Sequence, residues 1–77
     1  MNAMPITVNC FATLAPYSPP GGQMDIAPGM TAGKLVDLLG IPRDGVKILF
    51  VNGLRVDLDT PLKDGDRVGM FPAVAGG

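Results

Sequence analysis

Residues 62–77 read LKDGDRVGMFPAVAGG. Two different objects meet in this stretch. Asp64-Gly65-Asp66 is turn chemistry, because Asp bonds its own backbone and Gly accepts a positive φ. Arg67 to Phe71 then alternates, with Val68 and Met70 on one face and Gly69 and Phe71 on the other, which reads as a strand. Pro72 ends it, and the chain runs out through Ala73, Val74 and Ala75 to Gly76 and Gly77 without another charged side chain.

Working outward, Ile6, Val8 and Cys10 alternate with Thr7, Asn9 and Phe11, and both faces carry bulk, so this strand is expected to be central. PYSPPGG, residues 16–22, must end it. Gln23 to Ala27 can return as a short strand with Met24 and Ile26 on one face. MTAGKLVDLLGIP is the one helical stretch. Thr31 suits the N-cap, Met30 and Leu35 are spaced for a hydrophobic staple, and Leu35, Leu38 and Leu39 form an apolar stripe read as core. Gly40 suits the left-handed C-terminal position and Pro42 prevents continuation. Val46 to Val51 is apolar on both faces and is expected to be a buried strand. Asn52-Gly53 is a strong hairpin signal, with Leu54 to Val56 returning. A single helical turn is expected over Thr60–Leu62. The order strand, strand, helix, strand, strand, strand implies an α+β domain, with the first and last strands as neighbours at the centre of a mixed sheet of four to five strands and one main helix packed across it.

Composition narrows the function. The chain has 77 residues, 47% of them hydrophobic, and a net charge of −1. This is one small domain with scattered charges and no nucleic-acid footprint. It contains no His and no Glu, and Cys10 is its single cysteine. A Ser-His or Cys-His nucleophile, a Cys/His zinc site and an internal disulfide are therefore excluded within this sequence. Asp57, Asp59, Asp64 and Asp66 are explained by turns rather than by a metal, and Cys10 as a small buried hydrophobe. No signal peptide or membrane-length apolar run is present, so the expected compartment is the cytoplasm. Residues 1–5 are read as an N-terminal extension or cloning remnant, 6–71 as the domain and 72–77 as a flexible tail.

Three stretches carry a family resemblance. ITVNCFATL, with its Phe11-Ala12 pair, resembles the opening strand of the MoaD/ThiS family of ubiquitin-like sulfur carriers. LKDGDRVGMFP resembles the family's final loop and strand, and AVAGG resembles its diglycine tail. The Arg-Glu pair common after the opening strand is replaced here by Pro16 and Tyr17, and Ala73 stands where a second proline is frequent. The resemblance implies a β-grasp (ubiquitin-like) fold and a carrier rather than an enzyme, a co-substrate of the type of the molybdopterin synthase small subunit. It further implies that Gly77, with Gly76 beside it, is adenylated and converted to a thiocarboxylate. No bound cofactor is implied; ATP is used by the activating enzyme. The implied partners are an E1-like adenylating enzyme of the MoeB/ThiF type and a larger MoaE-like subunit or another sulfur acceptor, with neither nucleic acid nor membrane. Phe71, Pro72, Ala73, Val74 and Ala75 are the expected partner-binding residues. Thiamine thiazole or another sulfur pathway stays open, as do a ubiquitin-like protein modifier and a β-grasp interaction domain without chemistry.

Overall fold

In the computed structural model, which describes residues 3–73, five strands and one helix follow one another as β1 (Met4–Cys10), β2 (Gln23–Ile26), α1 (Ala32–Leu38), β3 (Ile48–Val51), β4 (Leu54–Val56) and β5 (Arg67–Phe71). Short 3-10 turns lie at Ala12–Tyr17, Pro20–Gly22 and Arg43–Gly45. The sheet order is β2-β1-β5-β3-β4. β1 and β5 pair in parallel, Val8 opposite Val68 and Cys10 opposite Met70; the other pairs are antiparallel. β1 starts at Met4, so residues 4 and 5, expected to precede the domain, are its first rungs, with Met4 opposite Ile26 and Pro5 opposite Asp25.

Strand alternation sends Ile6, Val8 and Cys10 of β1, Val68 and Met70 of β5, and Leu49 and Val51 of β3 to one face, where all are buried. α1 covers that face with Ala32, Leu35 and Val36, and Leu14, Ile41 and Leu62 close the margins. Fully burying side chains such as Leu35 and Met70 stabilises by about 1.5–3 kcal/mol each, which a domain this small needs. Cys10 belongs to this core; burial raises its thiol pKa, and a smaller opposing effect comes from a hydrogen bond with the Ser18 side chain.

The helix begins as expected, with the Thr31 hydroxyl accepting from Lys34 N at 3.2 Å. The helical turn expected at Thr60–Leu62 is absent. That segment runs extended beside the helix start, pairing Thr31 with Pro61; Ala32 N donates to its Thr60 O, and Gly33 N to Leu58 O just before it, both at 2.8 Å. These bonds satisfy helix amides that have no partner within the helix. Leu38, expected in the core, is 55% exposed. The buried positions are 32, 33, 35 and 36, with Leu39 half-buried, and on a helix of this pitch residue 38 falls off that arc. Val46–Val51 is also shorter and more one-sided than expected. The Arg43–Gly45 turn delays the strand to Ile48, and Ile48 and Phe50 face away from the helix, half-buried.

A buried carboxylate ties the start of β5 to two other elements. Asp66, 7% exposed, accepts from Asn52 Nδ2 at 2.9 Å and Lys63 N at 2.8 Å. Asn52 Oδ1 in turn accepts from Arg67 N at 3.0 Å, and Thr7 N donates to Asp66 O at 3.0 Å. The turn therefore holds both the β3–β4 hairpin tip and β1. Asn52 and Gly53 have φ of 54° and 83°, as a tight hairpin with two left-handed positions requires. Asp57 Oδ1 accepts from Asp59 N at 3.0 Å and Thr60 Oγ1 at 3.3 Å, so this aspartate also serves a turn. Replacing Asp66 by Ala strands two donors and is expected to cost about 1–3 kcal/mol, read as a lower urea midpoint, with Asp66→Asn losing less because it keeps one acceptor.

Candidate functional site

The functional expectation converges on where β5 ends. Phe71 is its last residue, opposite Ile48, and its carbonyl accepts from Lys47 N at 2.8 Å. Pro72 has no N–H and cannot extend the ladder. It is half-buried, and Ala73 after it is exposed, so the described chain leaves the sheet at these two residues. Val74, Ala75, Gly76 and Gly77 lie outside the described residues.

The Phe71 side chain points to the face opposite the helix. Its ring stacks on Phe11, with centroids 4.4 Å apart and planes 6° from parallel, and meets Phe50 edge-on at 5.8 Å and 87°. Both geometries suit the ring quadrupole. Three strands supply the cluster. Phe11 follows β1 and is held in register by its N–H donating to Met70 O at 3.0 Å, Phe50 lies on β3 and Phe71 on β5. Ala12 then turns the chain aside with a φ of 54°, a left-handed conformation that is uncommon for a residue other than glycine. Gly69 sits opposite both Phe50 and Asn9, and the absent side chain leaves the centre of the cluster open. The result is a shallow groove of about 370 Å³ with Asn9, Phe11, Phe50, Gly69 and Phe71 along it and Arg67 at one end. Phe11 is 41% exposed, while Phe50 and Phe71 are half-buried by one another.

Phe71 was legible from strand parity. Phe11 enters the sequence reading only through the Phe11-Ala12 pair and Phe50 not as a site residue, although the same parity, applied to Ile48 and Phe50 against Leu49 and Val51, separates the two faces of β3. The one ion pair among the described residues is remote from this groove. Arg43 donates from Nε and Nη2 to the two Asp37 oxygens, each at 3.0 Å, which lowers the Asp37 pKa and raises that of Arg43. Both side chains are about half exposed, so the pair contributes little to stability.

Comparison with known proteins agrees with this fold. The model of the ThiS family matches residues 8–77. The crystal structure of small archaeal modifier protein 1 from Haloferax volcanii superposes with a TM-score of 0.71 at 22% identity, covering 92% of this chain and 99% of that one. A Pyrococcus furiosus protein assigned as molybdopterin converting factor, subunit 1, gives 0.65 at 26% identity, over 92% of this chain and 99% of that one. A complex of subunits 1 and 2 of the molybdopterin-converting factor from Helicobacter pylori gives 0.58 at 28%, with coverage of 96% and 100%. No curated protein matches. The shared fold is the ubiquitin-like β-grasp, as the resemblance implied.

The groove generates a test of its own. A Cβ at Gly69 would meet Phe11 Cε2 at 3.6 Å and Phe50 Cβ and Phe71 Cε1 at 3.9 Å, ordinary contact distances, and Gly69 needs no positive φ. Gly69→Ala is expected to leave stability unchanged or raise it by up to about 1 kcal/mol in urea unfolding, since it removes backbone freedom from the unfolded chain.

Proposed function

The chain belongs to the ThiS family, and from that premise we propose that it is a sulfur carrier whose C-terminal carboxylate, on Gly77, is the working group. The observation that supports this most is the route of the chain. β5 is hydrogen-bonded on both sides, ends at Phe71, and hands the chain to Pro72 and Ala73 a few residues before the diglycine. An E1-like enzyme of the MoeB/ThiF type would supply ATP and the positioning. Attack of the carboxylate on the α-phosphorus releases pyrophosphate, and replacement of AMP by sulfur leaves a thiocarboxylate. Glycines suit both steps, because without Cβ the backbone approaches the nucleotide closely and the acyl carbon is unhindered. A chain without His or Glu leaves acid–base and electrostatic catalysis to the partner. The carrier is thus a co-substrate rather than an enzyme.

For the acceptor we favour molybdopterin synthesis, with this chain as the small subunit beside a larger MoaE-like one. Two of the similar structures carry the name of subunit 1 of a molybdopterin converting factor, one by assignment and the other in complex with subunit 2. Thiazole synthesis or another sulfur pathway would use the same terminus. In this reading Phe71 and Pro72 root the tail beside the partner, and residues 73–77 reach into it. The likeness to a small archaeal modifier protein favours a second reading, in which Gly77 is joined to a lysine of a target protein.

Co-expression with the adenylating enzyme, followed by thiol alkylation and trypsin, separates these outcomes. Cleavage after Arg67 releases VGMFPAVAGG, which has no cysteine. An alkyl group on its terminal glycine is expected, and a chain lacking Gly77 carries none. The adduct is needed because exchange of oxygen for sulfur nearly matches the mass change of Met70 oxidation. Isopeptide-linked products in place of the adduct would move the assignment to a modifier.

A further inference from the structure

Of the three asparagines in the chain, only Asn52 precedes a glycine. A following glycine makes the asparagine side chain reactive, because without Cβ its N–H is unshielded and its backbone bends freely. Gly53 N can then attack Asn52 Cγ. A five-membered succinimide closes as the N–Cγ bond forms and the Cγ–Nδ2 bond breaks. The Nδ2 group leaves as ammonia, taking the proton lost by Gly53 N. Water opens the ring at either carbonyl, giving aspartate or an isoaspartate whose main chain runs through the former side chain. Asn52 and Gly53 are both exposed at the hairpin tip, so solvent water reaches them.

The fold opposes this chemistry at the atoms that carry it. Asn52 lies one residue beyond the β3–β5 ladder, whose last rung pairs Val51 with Val68. Its side chain continues that ladder. Asn52 N donates to Arg67 O at 2.8 Å, and Asn52 Oδ1 accepts from Arg67 N at 3.0 Å in place of a backbone carbonyl. Nδ2, the leaving group, donates to Asp66 Oδ1 at 2.9 Å, and the other Asp66 oxygen is held by Lys63 N at 2.8 Å. This clamp keeps Cγ turned toward β5. The peptide between Asn52 and Gly53 is fixed as well, by the left-handed φ of both residues and by the pairing of Val51 with Leu54 across them. Ring closure needs the carboxamide to leave β5 and the peptide plane to turn.

Neither product restores what was broken. An aspartate at position 52 can still accept from Arg67 N, but it has no hydrogen for Asp66. Two carboxylates then face each other where an N–H···O bond stood, and that of Asp66 is buried. Isoaspartate lengthens the main chain of a two-residue turn and cannot keep Val51 opposite Leu54.

We propose that Asn52 is a modification site gated by the fold: the Asp66 clamp preserves it in the native chain, opening of the hairpin tip commits it to deamidation, and the product leaves the start of β5 without its anchor. The step is one-way, so the modified fraction records the time the tip has spent open. The site lies at the end of β5 opposite Pro72, and its chemistry is independent of what the terminus carries.

The test incubates the full chain at mildly alkaline pH, which favours loss of the amide proton, and digests samples with trypsin over time. Cleavage after Lys47 and Arg55 releases ILFVNGLR, in which Asn52 is the only asparagine. Mass and retention separate the asparagine, aspartate and isoaspartate forms. The native chain is expected to deamidate slower by about tenfold or more than the same chain unfolded in urea, and folded Asp66→Ala about tenfold faster than the native chain. Val36→Ala weakens the core and leaves the clamp intact, so it is expected to deamidate like the unaltered chain while both are folded. Asn52→Asp, which mimics one product, is expected to unfold at a lower urea midpoint. Equal rates in the native and unfolded chains overturn the proposal, as does acceleration in Val36→Ala equal to that in Asp66→Ala, or an unchanged midpoint in Asn52→Asp. If Asp66→Ala does not fold, the urea comparison and the Asn52→Asp midpoint decide.

Discussion

The parallel pairing of β1 with β5 is the constraint on which the rest of this structure depends. It places the last strand between β1 and β3, hydrogen-bonded along both edges. Parallel neighbours cannot be joined by a tight turn, so the helix and the β3–β4 hairpin must be accommodated between them in sequence. β5 is set in place from its first residue by the Asp66 carboxylate, which joins the preceding turn to the hairpin tip, and by Thr7 N on Asp66 O. A chain that leaves such a strand starts from a fixed point. The outgoing backbone is oriented by the most cross-linked part of the sheet rather than by a peripheral loop.

The same pairing divides the labour between the two faces. The inner face is filled by β-branched and long apolar side chains under α1, with Val8, Leu35, Val36 and Met70 completely or almost completely excluded from water. The outer face has no covering layer among the described residues, yet three phenylalanines from neighbouring strands gather there around Gly69. Aromatic stacking gains about 0.5–1.5 kcal/mol per pair beyond area burial, so the cluster partly supports itself without a second layer. Its position beside Pro72 puts the most adhesive part of the surface next to the outgoing chain. Phe71 belongs to both the strand and the cluster, and it directly precedes Pro72, where the chain leaves the sheet.

Much of this was legible in the sequence because local chemistry and global fold agree. Asn52-Gly53, the Thr31 cap, the Gly40 stop and the boundaries of β5 all follow from backbone rules that tertiary contacts reinforce. The misreadings arose where a tertiary partner decided the outcome. Thr60–Leu62 has turn-forming residues, but Thr60 O is claimed by Ala32 N and Leu62 N by Met30 O, which holds the segment extended. Leu38 sits in a leucine-rich segment whose buried arc is set by sheet position, not by composition. Ile48 and Phe50 look like core because they are apolar, whereas they form the uncovered side of a one-layer sheet. The Phe11-Ala12 pair is visible in the sequence, but the stacking of Phe11 on Phe71 depends on pairing with β5 from a distant part of the chain, and no local pattern encodes that.

The account stands or falls on the Gly77 carboxylate being the group that a partner activates. The most direct measurement is ATP–pyrophosphate exchange by the organism's adenylating enzyme, with the full chain and with a chain whose terminal carboxylate is capped as an amide. The account predicts exchange that saturates with the full chain and is absent with the amide, although both chains have the same fold. Exchange that persists with the capped chain, or none with the full chain and a demonstrably active enzyme, would contradict it.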